Sequence, residues 1–383
     1  MIRVLQVTGM MNRGGAEVML MDILRNKPSD VHFDFLINTA PEDFFSKGAF
    51  DDEILSYGCE MRYIGTQLRI GPRQYIKQFK NIYEELKPDV VHIHLNAKCG
   101  IIALAAHKAG CKHIISHCHA NIKFHGSWLR NFLNNTEVFL QKFLISHYAT
   151  DYWGCSLEAN KRLYWPWIRK KSVVINNAID TLLYSQVDYD AVKKVRESYN
   201  FPENCIILGN VGRIVPHKNL AFIVDLLNEL HKKGHDAALV VAGRNDAPQY
   251  VNAMMERAKE YSVDNRILLL GERSDIPVVM HSFDIFVGSS LQEGFGLVAV
   301  EAQAAGVPCV LFKGFPQTVN MNLGLCEFID NFDVNIWIKT IQDIKSKSNN
   351  ITVEDIMSSI KSKGFDAKEN ARSVSGMYEK MLM

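Results

Sequence analysis

Short, almost unbroken apolar runs recur along the chain, separated by stretches whose apolar positions fall three or four residues apart. Runs such as Val4-Leu5-Gln6-Val7 suit strands covered on both faces, and the longer periodicity suits the helices that cover them. In the first half the strands expected on this basis are 2–8, 31–38, 61–64, 89–94, 112–117, 151–155 and 172–176. In the second half they are 205–211, 238–242, 267–270, 284–287 and 308–312. Helical patterns fill the gaps, as from Tyr75 to Leu86, which stops at Lys87-Pro88. Alternation of this kind predicts an α/β fold built from doubly wound parallel sheets. Residues 126–147 read as one long amphipathic helix. Its apolar side (Trp128, Leu129, Phe132, Leu133, Phe139, Leu140, Phe143, Leu144) is expected to lie mostly in the core.

At 383 residues the chain is long enough for two domains, each with its own core. A net charge of +1 argues against a dedicated nucleic-acid binder. The charge is uneven, however: residues 1–180 carry 22 Lys/Arg against 17 Asp/Glu, and the remainder 21 against 25. The eight cysteines form no C-x-x-C pair and sit mostly in or beside strand patterns, so buried free thiols in a reducing compartment are expected. The first residues run straight into a strand pattern, and no stretch of about eighteen apolar residues occurs. A cytoplasmic location is expected.

The densest chemistry lies at Glu293-Gly294-Phe295-Gly296-Leu297, which follows a strand and opens a small-residue helix containing Glu301. Bare backbone at a helix N-terminus favours an anionic ligand, and a crevice of this type binds nucleotides in open α/β sheets. Solvated glutamates are the plainer alternative. Gly212-Arg213 and Lys218 flank a second loop at a strand end, where two cations suit a pyrophosphate leaving group or merely an exposed surface. Gly243 lies at another strand end and is a candidate for the nucleotide pocket. Near the start, Gly14-Gly15-Ala16-Glu17 is not G-x-G-x-x-G, which disfavours a dinucleotide cofactor. The Gly14-Gly15 pair is either a loop-to-helix turn or bare backbone offered to a phosphate or a sugar hydroxyl. His92 and His94 share one strand face, for packing or substrate contact; a metal pair lacks an evident carboxylate. His117 and His119 stand where ligand crevices open, though a core histidine bonded to backbone fits either position. The basic, aromatic stretch 161–171 suits an anionic bilayer surface or a solvated loop.

The stretch E-G-F-G-L-V-A-V-E, together with Gly14-Gly15-Ala16-Glu17, Cys118-His119-Ala120 and the G-R-x-x-x-x-K of Gly212 to Lys218, resembles the family-4 retaining glycosyltransferases. The flavour is that of bacterial exopolysaccharide and capsule enzymes, and the likeness spans essentially the whole chain. It implies a GT-B architecture, two Rossmann-like domains facing a cleft: 1–180 on the acceptor side and 181–365 binding the nucleotide sugar. A last helix, 366–383, would return to the first domain. Ala178 departs from the Asn-Gly usual where the first domain closes. The resemblance implies that His119, Arg213, Lys218 and Glu293 carry catalysis. Gly14, Gly15, Gly212, Gly243, Gly294, Phe295, Gly296, Leu297 and Glu301 would join Arg213 and Lys218 around the donor. It also implies a UDP-sugar donor without cofactor or metal, and a saccharide or lipid-linked saccharide acceptor. Peripheral contact with an anionic membrane follows from reaching such an acceptor.

Other classes fit less well. If helical throughout, Glu293 and Glu301 stand about 12 Å apart, beyond the roughly 5–9.5 Å of paired glycosidase carboxylates. A nucleotide-sugar 2-epimerase on a similar scaffold is the alternative, separable because it needs no acceptor. A sugar-nucleotide sensor would bind without turnover.

Overall fold

The computed structural model describes residues 1–12, 14–40, 42, 46–119, 128–347 and 351–383. Arg13, Ala120, His125 and the side chain of Leu129 lie outside the described residues. The chain divides into two compact units: 1–178 with 367–383, and 179–366.

The first unit is a seven-stranded sheet of β1 (Ile2–Thr8), β2 (Val31–Thr39), β3 (Met61–Gly65), β4 (Val90–Ile93), β5 (His113–Cys118), β6 (Asp151–Gly154) and β7 (Val173–Val174). Its order is β3-β2-β1-β4-β5-β6-β7, and every pairing is parallel. The inner strands are buried on both faces, which is why their sequences read as nearly continuous apolar runs, whereas the edge strand β7 is exposed. One face is covered by the helix Cys99–Ala109, whose Ile102, Ala103, Ala105 and Ala106 are fully buried. Gly15–Asn26 and the last helix, Ala367–Leu382, pack together on the other face with Met19, Leu20, Ala371, Val374 and Tyr378 inside.

The second unit repeats the plan with β8 (Ile206–Val211), β9 (Ala237–Ala242), β10 (Ile267–Gly271), β11 (Ile285–Gly288), β12 (Cys309–Phe312) and β13 (Cys326–Ile329). Its order, β10-β9-β8-β11-β12-β13, is again all parallel and again reverses direction beside the first strand. The apolar pattern misses β13. It is a short edge strand interrupted by the exposed Glu327, so its pattern is too weak to stand out.

A larger correction concerns the helix Trp128–Tyr148. It buries Val138, Gln141 and Ile145, while Trp128, Phe132, Leu133, Phe139, Leu140 and Phe143 are more than half exposed. The amphipathic pattern is present, but its aromatic stripe faces outward rather than into the core. All eight cysteines are free and buried, as their positions in the strand pattern imply.

Candidate active site

In both sheets the strand order reverses beside the first strand, and in open parallel sheets that is where the carboxyl ends of two strands part and leave a crevice. In the second unit the crevice lies between β8 and β11. Beyond β8 the chain turns at Gly212, passes a 3-10 turn at Pro216–Lys218, and enters the helix Leu220–Lys232 through Asn219 in the left-handed region. Gly212 has φ +140°, and a Cβ there would stand 3.3 Å from the Lys218 Nζ, so the bare glycine makes room for the ammonium. Gly243 is constrained more tightly: at φ +150° any Cβ would lie 2.0 Å from the Gly212 carbonyl oxygen.

The loop after β11 is stitched to this turn. The Ser289 hydroxyl donates to the carbonyls of Lys218 and Asn219 (2.8 and 3.1 Å), and the Leu291 N–H donates to the His217 carbonyl. The backbone therefore delivers Glu293 to Lys218, and Nζ donates to Oε1 at 2.7 Å. Both side chains are largely covered, 14% and 12% exposed, so this pair is shielded from water as surface pairs are not. Phe295, buried against Phe365, anchors the next turn. Gly296, at φ +82°, then starts the helix Leu297–Ala304 without a side-chain cap. Glu301 stands just past the first turn of that helix, half-buried.

Arg213 is not part of the Lys218–Glu293 contact. It is 61% exposed and pairs with Asp246 at 3.3 Å, which Arg244 also holds. Hydrogen bonding, first from Arg244 and then from Arg213, keeps the Asp246 carboxyl below its usual range.

In the first unit, Gly14 precedes the helix Gly15–Asn26, and a Cβ at Gly14 would meet the Glu17 carboxylate at 2.3 Å. The glycine and the glutamate of that motif are therefore neighbours in space. His119 follows β5, with its backbone N–H donating to Asn96 Oδ1 at 2.7 Å. Its ring belongs to a buried ladder of four imidazoles. His92 and His117 are hydrogen-bonded nearly in one plane (3.1 Å; 4° between rings), and His94 meets His119 at 2.8 Å. The two pairs stack with ring centroids 4.0 Å apart at each end. Tyr378 caps His92 at 2.7 Å, and Gln6 caps His94 at 2.8 Å. Burial, reinforced by mutual repulsion, holds His92, His94 and His117 well below the ordinary imidazole range, and burial pulls His119 down to about 3.

Ring nitrogens of His92, His94 and His117 lie within 4.8 Å of one another, the spacing of a metal trio. Those that face their neighbours are already engaged in the hydrogen bonds just described, so the group reads as a neutral relay. Sequence reasoning missed Gln6 and Tyr378. Gln6 left a signal, a polar residue in an apolar strand; Tyr378, 286 residues from His92, left none.

Comparison with known proteins agrees with this geometry. Residues 191–349 match the family described as glycosyl transferases group 1. The chain is 31% identical to the putative glycosyltransferase EpsF of Bacillus subtilis, over 98% of this chain and 96% of that one. It is 22% identical to the capsular polysaccharide biosynthesis glycosyltransferase CapH of Staphylococcus aureus, over 93% and 94%. Among solved structures, Anabaena Alr3699/HepE in complex with UDP superposes with a TM-score of 0.76 at 19% identity, covering 99% of this chain and all of that one. With both sheets in the Rossmann order and a relative this similar along its whole length, the chain belongs to the group 1 glycosyltransferases of GT-B fold.

Proposed function

We propose that the protein is a retaining transferase that moves a sugar from a UDP-sugar onto a growing cell-surface polysaccharide or a lipid-linked saccharide. The observation that carries this reading is the shielded Lys218–Glu293 pair at the carboxyl ends of β8 and β11. An ammonium has three donors, so Lys218 can keep Glu293 and still hold a phosphate oxygen. Arg213 adds charge from the rim by exchanging Asp246 for phosphate. Together they neutralise the departing diphosphate while Glu293 contacts the sugar. The charge is supplied by side chains, so turnover is expected to survive chelation of metals. Support for the nucleotide comes from the UDP complex of the solved relative, and for the acceptor class from the name of the capsular enzyme.

The test is incubation with UDP-sugars, with and without saccharide and lipid-linked acceptors. Product that forms only with acceptor, with the anomeric configuration of the donor, supports the proposal. Interconversion of the donor sugar alone would make the protein a 2-epimerase.

The two glutamates should separate. Glu301→Ala is expected to weaken binding of free UDP, because the ribose hydroxyls lose their acceptor. Glu293→Ala should chiefly reduce turnover of the complete donor. Calorimetry with UDP on both variants checks this, and equal losses of UDP affinity would mean the roles are misassigned.

We also propose peripheral binding to an anionic membrane through the first unit. The outward stripe of the helix Trp128–Tyr148 supports it, as does the exposed Trp167, stacked on Trp165, over which Lys142 sits. Lys161, Arg162, Arg169, Lys170 and Lys171 lie in the same stretch of chain. Each basic residue at an anionic surface contributes about 1 kcal/mol, so binding should be reversible and salt-sensitive. No helix among the described residues is long and apolar enough to cross a membrane. Sedimentation with phosphatidylglycerol vesicles at low salt is expected for the native chain and should be lost in Phe139→Asp/Trp167→Asp. If native protein stays in the supernatant, the membrane claim fails.

A further inference from the structure

The loop after β12, Lys313 to Pro316, is woven into the loop that carries Glu293. The Glu293 N–H donates to the Gly314 carbonyl at 2.9 Å. Gly314 itself has no room for a side chain, because a Cβ there would lie 2.1 Å from the Ser290 carbonyl oxygen and 2.7 Å from that of Leu291. Phe315 follows, buried in the core that also takes in Ala299, Val300 and Ala302 of the helix Leu297–Ala304. Its ring lies against bare Cα atoms at both ends of the Glu293 loop. A Cβ at Gly288, the last residue of β11, would stand 2.7 Å from the Phe315 Cε2. A Cβ at Gly296, just before the helix, would stand 2.6 Å from the Phe315 Cδ1. Gly296 also needs glycine for its φ of +82°, but Gly288 and Gly314 lie outside the left-handed region. Those two are bare for space: Gly288 for the ring and for the Leu311 side chain, Gly314 for the neighbouring backbone.

We propose that Phe315 is a positioning residue for Glu293. Its ring sets the spacing between the end of β11 and the start of the helix Leu297–Ala304. With the Gly314 carbonyl it thereby holds the loop between them at the reach that brings the Glu293 carboxylate to the Lys218 ammonium. The weight of Glu293 in turnover rests on the reading of the protein as a nucleotide-sugar transferase. A glutamate has several free torsions, so a shielded 2.7 Å contact with Lys218 requires a backbone fixed on both sides. On one side the Ser289 hydroxyl and the Leu291 N–H tie the loop back to the turn after β8. On the other side the Gly314 carbonyl and the Phe315 ring hold it. A ring packed on two bare Cα atoms resists displacement, because either loop end could move away only by opening a void and forfeiting dispersion contacts.

The experiment uses the full chain, labelled with ¹⁵N at lysine in one sample and uniformly in another. An ammonium held in a shielded ion pair exchanges its protons slowly, so Lys218 Nζ should give a resolved ¹H–¹⁵N signal, assigned by its loss in Lys218→Arg. Phe315→Leu and Phe315→Ala are expected to weaken that signal and to speed amide exchange at Glu293 by about tenfold or more. The Phe286 amide, bonded to the Pro308 carbonyl within the sheet, should keep its protection. Phe222→Leu, in the other core of the same unit, is the control and should change neither. The same variants are titrated with UDP and assayed for turnover of UDP-glucose, UDP-galactose and UDP-N-acetylglucosamine. Phe315→Leu should leave UDP affinity near native and lower kcat about tenfold, through misplacement of Glu293. In a Glu293→Gln background it should lower kcat no further, because a residue that acts through the carboxylate has nothing left to act on. A native ammonium signal with native exchange at Glu293 in folded Phe315→Leu overturns the proposal. The same changes in Phe222→Leu, or a full additional loss of kcat in Glu293→Gln, overturn it too. If native protein turns over none of the three sugars, the donor reading is what fails, and the ammonium signal and exchange rates decide the positioning.

Discussion

Lys218→Ala is expected to lower kcat by two to three orders of magnitude while the second unit keeps its fold. The ammonium lies at the β8/β11 crevice, 2.7 Å from Glu293 and largely shielded from solvent. Charge that develops on a leaving diphosphate in a shielded site is stabilised far more strongly than in water. Removing one such donor typically costs about 3–4 kcal/mol of barrier. The variant also leaves Glu293 without its partner, so UDP affinity should fall as well, because an uncompensated carboxylate would face the incoming phosphates. Arg213→Ala should do less, since its side chain is 61% exposed and screened. Steady-state rates together with circular dichroism of each variant check the order. A folded Lys218→Ala protein with near-native turnover would falsify the leaving-group role.

The second large effect is on stability in acid. His92, His94, His117 and His119 are neutral in the folded first unit, all held below the ordinary value of 6.5 by burial. Above that value neither state binds the four protons, and stability is at its full level. Once pH drops below it, the unfolded chain takes up protons that the folded chain refuses, and stability is lost progressively toward the folded values, about 3 for His119. Each imidazole contributes up to about 1.4 kcal/mol per pH unit, so four together approach roughly 5. A typical domain has only about 5–15 kcal/mol to lose. The first unit should therefore unfold between about pH 6 and pH 4, with an uptake approaching four protons. Urea melts between pH 7 and pH 5, followed by near-ultraviolet circular dichroism, measure the slope. His92→Phe/His117→Phe should make it shallower. A slope of less than one proton in the native chain would mean the ladder is charged or hydrated when folded.

The strands were legible because in a parallel sheet covered on both faces most strand positions are held to the same apolar requirement, buried polar residues such as Gln6 and His92 being the exceptions. Ile2–Thr8 and Ala237–Ala242 could hardly read as anything else. The glycine loops were legible for a related reason. Gly243 and Gly296 occupy backbone states that a side chain would obstruct, so the constraint is written at the position itself. The helix Trp128–Tyr148 was half legible. Periodicity locates an apolar stripe but not its direction, and only the packing of Val138, Gln141 and Ile145 shows that the aromatic stripe is turned outward.

Pairings across the fold were not legible. Lys218 and Glu293 are 75 residues apart, His92 and Tyr378 are 286, and Gln6 and Tyr378 are 372. Local sequence determined the periodicity, the loop glycines and the family's motifs, because each of those depends on residues within a turn or two of one another. Which cation meets which carboxylate, and which amide caps which imidazole, was decided only by the tertiary structure. Parallel strands are joined by long crossovers, so neighbours in the sheet come from distant parts of the chain, and a hydrogen bond is set by the position and direction of both partners.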